Sequence, residues 1–472
     1  MLQSNELPSI LSGVGINLNN NLIKLLNWKE DKLPAWRFST DSRNIPRGAW
    51  FIALRGENFD GHKFCQQTIE SGATGLIISD VSLTDDFTDV PVVLVKNTLE
   101  AYQAIARAHR HSLKTKVVAI TGSNGKTTTK EMLFNVLSQK YKTKASNSNE
   151  NNEIGVPKNL LQLDENDEIM ISECGMRGLG QIEELTKITE PDYTIITNIG
   201  TAHIGILGSR ENIAKAKSEI FCFQPSGGIA LVPFNEPLLK PFIEDHAKWI
   251  NFIKFGNFTN AKFEAKDQGS FNENGTRFYY RGETFYLQTA SLGLVSNACA
   301  VIDLALHLGL KAAEIQTGLD EFKPLTGRGA LTKLKLNEKT GATLIDESYN
   351  ANPDSVRELA KSLKRLSSGK TTILVLGEMA ELGDLGESLL SGLAKDLNQN
   401  VDELFLVGTK CFNSGFTRQL TIPFQIFQNK EEVFEYFTNE KSYLLDSKKV
   451  IAVKASRSAK LNELVKNISS IE

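Results

Sequence analysis

The chain has few cysteines, little excess charge and no long apolar run, and each scarcity excludes something. Its five cysteines (Cys65, Cys174, Cys222, Cys299 and Cys411) are odd in number, widely scattered and form no C-x-x-C, which argues against a disulfide frame or a zinc site. A net charge of −3 over 472 residues leaves no bulk attraction for polyanions, so no nucleic-acid partner is expected. No stretch approaches a membrane span, and Met1–Glu6 lacks a basic region followed by an apolar core. A cytoplasmic protein without membrane insertion is therefore expected. Internal repeats and low-complexity segments are absent as well. Hydrophobic content of 41% and charged content of 23% are those of a soluble globular protein, too long for one core, so two to four domains are expected.

What is present centres on Lys116–Glu131. The β-branched run Val117–Ile120 suits a buried strand, it breaks at Thr121-Gly122, and a helical pattern follows Gly125 with Glu131, Met132, Leu133, Val136 and Leu137. Strand, glycine-rich turn and helix aim unpaired N–H groups and a helix N-terminus at one spot, which attracts phosphate. Lys126 adds a mobile charge and Thr127 a hydroxyl for Mg²⁺. The spacing G-x-x-x-x-G-K-[ST] is not met, because Ile120 stands where the first glycine belongs; the shorter T-G-S-N-G-K-T-T stands instead. Gly122, Ser123, Asn124, Gly125, Lys126, Thr127 and Thr128 thus form a candidate nucleoside triphosphate site, with an ordinary glycine turn as the plain alternative.

Taken in order, residues 1–98 read as a small mixed α/β unit, with strands at Gly48–Leu54, Gly75–Ile78 and Val92–Val95. Asp41, Ser42 and Arg43 stand there either as a site or as a loop of satisfied polar groups. Asn97–Glu100 has the form of a capping box and opens a helix that bridges into a second unit, residues 99–322. In that unit Asn147–Pro157 reads as a loop, and two strands end in Glu173 and in Asn198–His203. Ligands gather beyond the carboxyl ends of parallel strands, so Glu173 and His203 are candidates to face Lys126 and Thr127, although a lone strand-end Glu is ordinarily just solvated. Lys217 lies beside the apolar stripe of Ile213, Ala216 and Ile220, where a lysine either snorkels or has a task. Residues 252–288 predict antiparallel hairpins turning at Asn274-Gly275 and Arg281-Gly282, after which Asn297 opens a helix over Ala298–Leu308. In residues 323–472, strands at Ala342–Ile345, Ile373–Leu376, Leu404–Val407 and Val450–Val453 alternate with helices, which predicts a mostly parallel sheet. The fold class expected is α/β in three domains, the central one a P-loop domain on a mostly parallel sheet.

Together T-G-S-N-G-K-T-T-T-K-E, Asp41-Ser-Arg43, Asn151–Pro157, Asn198–His203, Ala216–Phe221 and Ser348–Pro353 resemble the Mur ligase family, nearly end to end from Ser39 to Arg457. Ser-Tyr-Asn-Ala-Asn before Pro353 is similar to the branch that adds D-alanyl-D-alanine to UDP-N-acetylmuramoyl-tripeptide. The alternative is the branch adding a single amino acid to the UDP-muramoyl dipeptide, which typically carries Asp-Tyr-Ala-His there. The resemblance implies an N-terminal domain holding the UDP-sugar, a central ATPase domain, and a Rossmann-like C-terminal domain closing over ATP and the amine. It implies ATP and Mg²⁺, an acyl-phosphate intermediate, and a cytoplasmic monomer of peptidoglycan synthesis. Residue by residue, it implies that Gly125 and Lys126 hold phosphates, with Gly122, Ser123, Asn124 and Thr128 around them. Thr127 would bind the metal, Glu173 and His203 the metals or the amine, and Lys217, as a carbamate, a metal. Asn297, Arg328 and Asp346 would contact ATP, and Thr40, Asp41, Ser42, Arg43 and Asn151 the UDP substrate. Three departures stand out: Asp346-Glu347 where two aspartates are usual, Gly293-Leu294 where His-Asn is usual, and Lys454-Ala-Ser-Arg457 where the second residue is usually Gly. The first leaves open which acid meets ATP. A regulatory nucleotide switch is the reading from another class, and it predicts slow hydrolysis indifferent to any peptide or UDP-sugar.

Overall fold

Strands buried on both faces run largely apolar, and Gly75–Ile78, Lys116–Thr121 beyond its first residue, and Ile169–Glu173 are buried at every position, with polar residues only toward their carboxyl ends. In the computed structural model, which describes residues 17–18 and 38–471 apart from 84–85, 88–89, 148, 266–273, 337–338, 368, 409–411 and 413, they belong to two of four sheets. The first sheet runs Asn17–Leu18, Val92–Leu94, Gly75–Ile78, Trp50–Ile52, Phe38–Ser39, antiparallel at its first pair and parallel thereafter. Asn97 then caps the helix Thr98–Ser112, accepting from the N–H groups of Leu99 and Glu100 while its amide donates to Glu100. Ala101, Tyr102, Ile105 and Ala106 of that helix share one apolar cluster with Ile52, Ile77 and Val93 of the first sheet and with Val117, Met170 and Ile188 beyond it. The bridge is a packed joint.

The second sheet is parallel throughout, in the order Asn251–Phe255, Ile229–Pro233, Tyr193–Ile196, Lys116–Thr121, Ile169–Glu173, Thr143–Ala145. The chain leaves Lys116–Thr121 toward one edge and Tyr193–Ile196 toward the other. Between these neighbours lies the crevice where such sheets bind ligands. Alternation along the strands feeds two cores: Val118, Ile120 and Ile171 meet the helix Lys126–Leu137, while Ala119, Ile196 and Ala230 meet the helix Arg210–Ser218 on the opposite face.

Three expectations for this domain are corrected. Asn251–Phe255 is a parallel edge strand and not a hairpin arm. Asn274-Gly275 is no turn: it pairs with Ala265 and Glu264 inside a three-stranded antiparallel sheet, and a Cβ on Gly275 would sit 2.4 Å from the Leu287 carbonyl. Arg281-Gly282 does turn, with φ of 52° and 88°, as a two-residue hairpin loop requires. The helix assigned to start at Asn297 runs from Leu292 to His307, capped by the Ser291 hydroxyl, which accepts from the Leu294 N–H.

The last sheet orders Ala330–Leu336, Lys339–Glu347, Lys449–Lys454, Thr371–Gly377, Glu403–Val407, Phe424–Phe427, antiparallel only at its first pair. Its two edges escape the sequence pattern because edge strands alternate polar with apolar residues and do not run apolar. Each of the three domains has a core on its own sheet. Among the described residues no helix is long and apolar enough to cross a membrane.

Candidate active site

The phosphate loop is shaped by two glycines with no space for a side chain. Gly122 has φ 150°, and a Cβ there would lie 1.8 Å from Thr197 Oγ1; Gly125 has φ 79°, and its Cβ would lie 2.3 Å from Asn297 Nδ2. Asn297 therefore stands inside its helix as a polar side chain facing the turn that starts Lys126–Leu137. Lys126 folds back so that its ammonium donates to the Gly122 carbonyl at 2.7 Å. Desolvation in the cleft lowers the pKa of this lysine, the Glu173 carboxylate favours its charged form, and Arg328 opposes it. Gly122→Ala is expected to destabilise the protein by about 1–3 kcal/mol through backbone strain, with the clash in addition, as urea unfolding would measure.

Next to the loop, Thr127 Oγ1 donates to Glu173 Oε2 at 2.7 Å, and Asn151 Nδ2 donates to Glu173 Oε1 at 2.8 Å. Thr127 and Glu173 are both buried. Hydroxyl and carboxylate thus meet at the rim of the loop, and Asn151, expected on the UDP substrate, holds the other carboxylate oxygen.

His203 takes φ 65° at the start of a short turn, and its Nδ1 lies 2.7 Å from Glu381 Oε2 of the C-terminal domain. Burial lowers its pKa; Glu381 raises it, and the charges of Lys217 and Lys126 lower it further. Lys217 is 1% exposed. Burial, reinforced by Lys126, holds its pKa well below the usual lysine value, and no carboxylate among the described residues offsets this. Lys126, His203 and Lys217 therefore form one electrostatic group drawn from three separate segments.

A cavity of about 1100 Å³ lies between the central and C-terminal domains. Ser123 through Thr128, Asn151, Glu173, His203, Asn297 and Arg328 line it; Gly122 and Lys217 do not. The Arg328 guanidinium stacks 3.8 Å over the Tyr349 ring, whose hydroxyl donates to Asn149 Oδ1. Asp346 does not line the cavity. Its carboxylate accepts from the Gly327 N–H at 2.8 Å and from the Ser348 N–H and hydroxyl, so it shapes the Arg328 turn from behind, while Glu347 lines the cavity and accepts from Lys454 at 3.1 Å. Thr40, Asp41, Ser42 and Arg43 lie outside the cavity as well. Asp41 pairs with the Arg43 guanidinium, which holds its carboxyl below the usual range, and Lys158 adds to this.

Three residues reach the site without having been singled out, Asn149, Asp354 and Glu381, and Asn352, singled out only as part of Ser348–Pro353, joins them. Asn352 Nδ2 donates to Asn124 Oδ1 at 2.7 Å, a contact between the last domain and the phosphate loop. Nothing local marks them, since an acid in the first turn of the helix Pro353–Ser367 is ordinary helix chemistry.

A phosphate loop at the switch point of a parallel sheet, covered by a second α/β domain that bonds to it, defines a nucleotide-using enzyme that works between domains. Three family models match in succession: "Mur ligase family, catalytic domain" at residues 38–110, "Mur ligase middle domain" at 120–305 and "Mur ligase, glutamate ligase domain" at 334–457. The UDP-N-acetylmuramoyl-tripeptide–D-alanyl-D-alanine ligase of Bacillus subtilis is 34% identical over 440 residues, 91% of this chain and 92% of that protein. The Escherichia coli enzyme of that name is 31% identical over 454 residues, 91% and 92%. A crystal structure of MurF from Acinetobacter baumannii superposes with TM-score 0.81 at 30% identity, covering 92% of this chain and 93% of that one. The chain belongs to the Mur ligase family.

Proposed function

We propose that the protein joins D-alanyl-D-alanine to UDP-N-acetylmuramoyl-tripeptide, consuming ATP and releasing ADP and phosphate, in the cytoplasmic synthesis of peptidoglycan precursors. The observation that carries this reading is the cavity itself, with the phosphate loop on its central wall and Arg328, Glu347 and Lys454 on its C-terminal wall. The relatives matched at 31–34% identity over nine-tenths of the chain carry that activity in their names. Nothing favours the single-amino-acid alternative.

Joining a carboxylate to an amine in water is uphill and needs a better leaving group than oxide. A peptide carboxylate oxygen attacks the γ-phosphorus, ADP leaves, and the acyl phosphate forms. The dipeptide nitrogen then bonds to the acyl carbon, phosphate departs and the nitrogen loses a proton. In the first step two anions approach, and the loop N–H groups, Lys126 and Arg328 offset their repulsion. Leu331, Ile345 and Leu359 line the cavity as an apolar surface for the adenine, with Asn297 nearby. Glu347 takes the nucleotide contact first assigned to Asp346. His203, with Nδ1 held by Glu381 and its neutral form favoured by burial, directs Nε2 to the attacking amine. Water would hydrolyse the acyl phosphate, and the C-terminal domain excludes it.

Among the described residues no group of three His, Cys, Asp or Glu side chains is clustered to hold a metal alone. Mg²⁺ takes one or two protein oxygens and completes its shell with water and phosphate. Thr127 and Glu173 are the hard oxygen donors that would hold it, Lys217 as a carbamate would serve a second ion, and the metal would supply charge neutralisation at the transferring phosphoryl group. We keep the UDP end of the substrate at Thr40, Asp41, Ser42 and Arg43, with domain limits near residues 98 and 322. We keep the monomer as the expected state. An amine panel tests the reading: D-alanyl-D-alanine is expected to stimulate ADP release with UDP-muramoyl tripeptide at least tenfold, and diaminopimelate or lysine not at all. Stimulation by a free amino acid and not by the dipeptide would overturn it.

A further inference from the structure

The loop after the strand Tyr193–Ile196 is bonded on one side to the phosphate loop and on the other to the C-terminal domain. Toward the phosphate loop, the Ser123 N–H donates to the Asn198 carbonyl at 3.1 Å, the Asn124 N–H to Asn198 Oδ1 at 3.0 Å, and the Gly200 N–H to Ser123 Oγ at 2.8 Å. Toward the C-terminal domain, Asp354 Oδ2 accepts twice from Thr201, from its N–H at 2.6 Å and its hydroxyl at 2.8 Å. The other oxygen of Asp354 accepts from Arg357 at 2.9 Å, and Arg357 is itself anchored on Asp396. One oxygen is thus held by its own domain while the other crosses the interface. The approach is close: a Cβ on Gly200 would lie 2.7 Å from Asp354 Oδ2.

An acid in the first turn of a helix ordinarily faces the N–H groups of its own helix. Asp354 is spent elsewhere, on a backbone N–H and a hydroxyl of another domain, in bonds that exist only when the domains are together. Through Thr201 and Gly200 those bonds reach Ser123 one residue on. We propose that Asp354 is a positioning residue for the reaction: it couples arrival of the C-terminal domain, through Thr201 and Gly200, to the placement of Ser123 in the phosphate loop, so that the phosphate cradle is completed in the closed form. Asn352 on Asn124, and the Glu381 carbonyl accepting from the Gly205 N–H at 2.9 Å, flank this latch without replacing it.

The assignment rests on the ligase reading for its kinetic consequence, and its test separates the two. Asp354→Asn is nearly isosteric, yet its single carbonyl oxygen cannot accept from both Thr201 and Arg357. Turnover is expected to fall about 10–100-fold and ATP affinity by a clearly smaller factor, because ATP still binds the open form. Small-angle scattering with a non-hydrolysable ATP analogue bound is expected to find the variant more extended than wild type. Thr201→Val should fall between the two proteins and Thr201→Ser should stay within threefold of wild type. A variant as compact as wild type with analogue bound, or one whose ATP affinity falls in step with turnover, overturns the latch. Scattering needs no acceptor substrate, so it still decides on Asp354 if neither protein makes the pentapeptide product and the ligase reading fails.

Discussion

Lys126→Met is expected to lower turnover about 10²–10³-fold, the scale on which single electrostatic stabilisers act, while leaving the fold intact. The two halves of this expectation have one cause. The ammonium sits where desolvation penalises its charge, with Glu173 near and the Gly122 carbonyl accepting from it, so keeping it charged there carries an energetic cost. Methionine keeps the length of the side chain and removes that cost, and thermal unfolding should occur at the wild-type temperature or above it. When a triphosphate arrives, the same charge opposes the repulsion between nucleotide and carboxylate, which methionine cannot do. The measurement is ADP release under saturating substrates beside a thermal melt of the free protein. A variant that keeps turnover within tenfold would remove Lys126 from the chemistry.

Lys217→Ala is expected to lower activity about 10²-fold or more, on the same scale, with partial restoration by a short carboxylic acid. The lysine is buried, unpaired by any described acid and faced by the charge of Lys126, so its neutral amine is favoured. A neutral amine adds carbon dioxide, forming an N–C bond and releasing a proton, and the carbamate produced turns a repulsion with Lys126 into an attraction. Activity should then depend on bicarbonate, and labelled bicarbonate should give a carbamate resonance in wild type that is missing in the variant. Without bicarbonate the depressed pKa has a further consequence. Below the ordinary lysine value the unfolded chain binds the proton and the folded chain does not, so stability rises with pH until the unfolded lysine also loses its proton. Lys217→Met should flatten that rise in urea unfolding measured across alkaline pH. Full activity in the alanine variant, with the resonance unchanged, would end the carbamate role.

What could be read along the chain follows from how local each cause is. The phosphate loop is legible because its shape depends on residues that are sequence neighbours: Gly122 and Gly125 supply φ values that side chains resist, and Lys126 follows at once. Glu173 and His203 are legible because strands of a parallel sheet end on one side, so a polar residue just past an apolar run has a known destination. Asn297 shows the limit. Its neighbours Ala298–Val301 are apolar, which made it look like the start of a helix; the helix runs through it, and its polar group is explained by Gly125 lying against it. Asp346 and Glu347 show the limit again, since adjacent residues of one strand face opposite ways and the register of Lys339–Glu347 decides which meets the cavity.

By itself the order of residues determined the three-domain α/β plan, the nucleotide loop and the family, because apolar periodicity and glycine placement act over a few residues and need no partner. Only the packed molecule decided that Asp346 braces a turn while Glu347 faces the cavity, that Asn151 holds Glu173, and that Asp354, Asn352 and Glu381 reach across to loops more than 150 residues earlier. Those contacts depend on where one domain comes to rest against another, and no short stretch of sequence carries that distance.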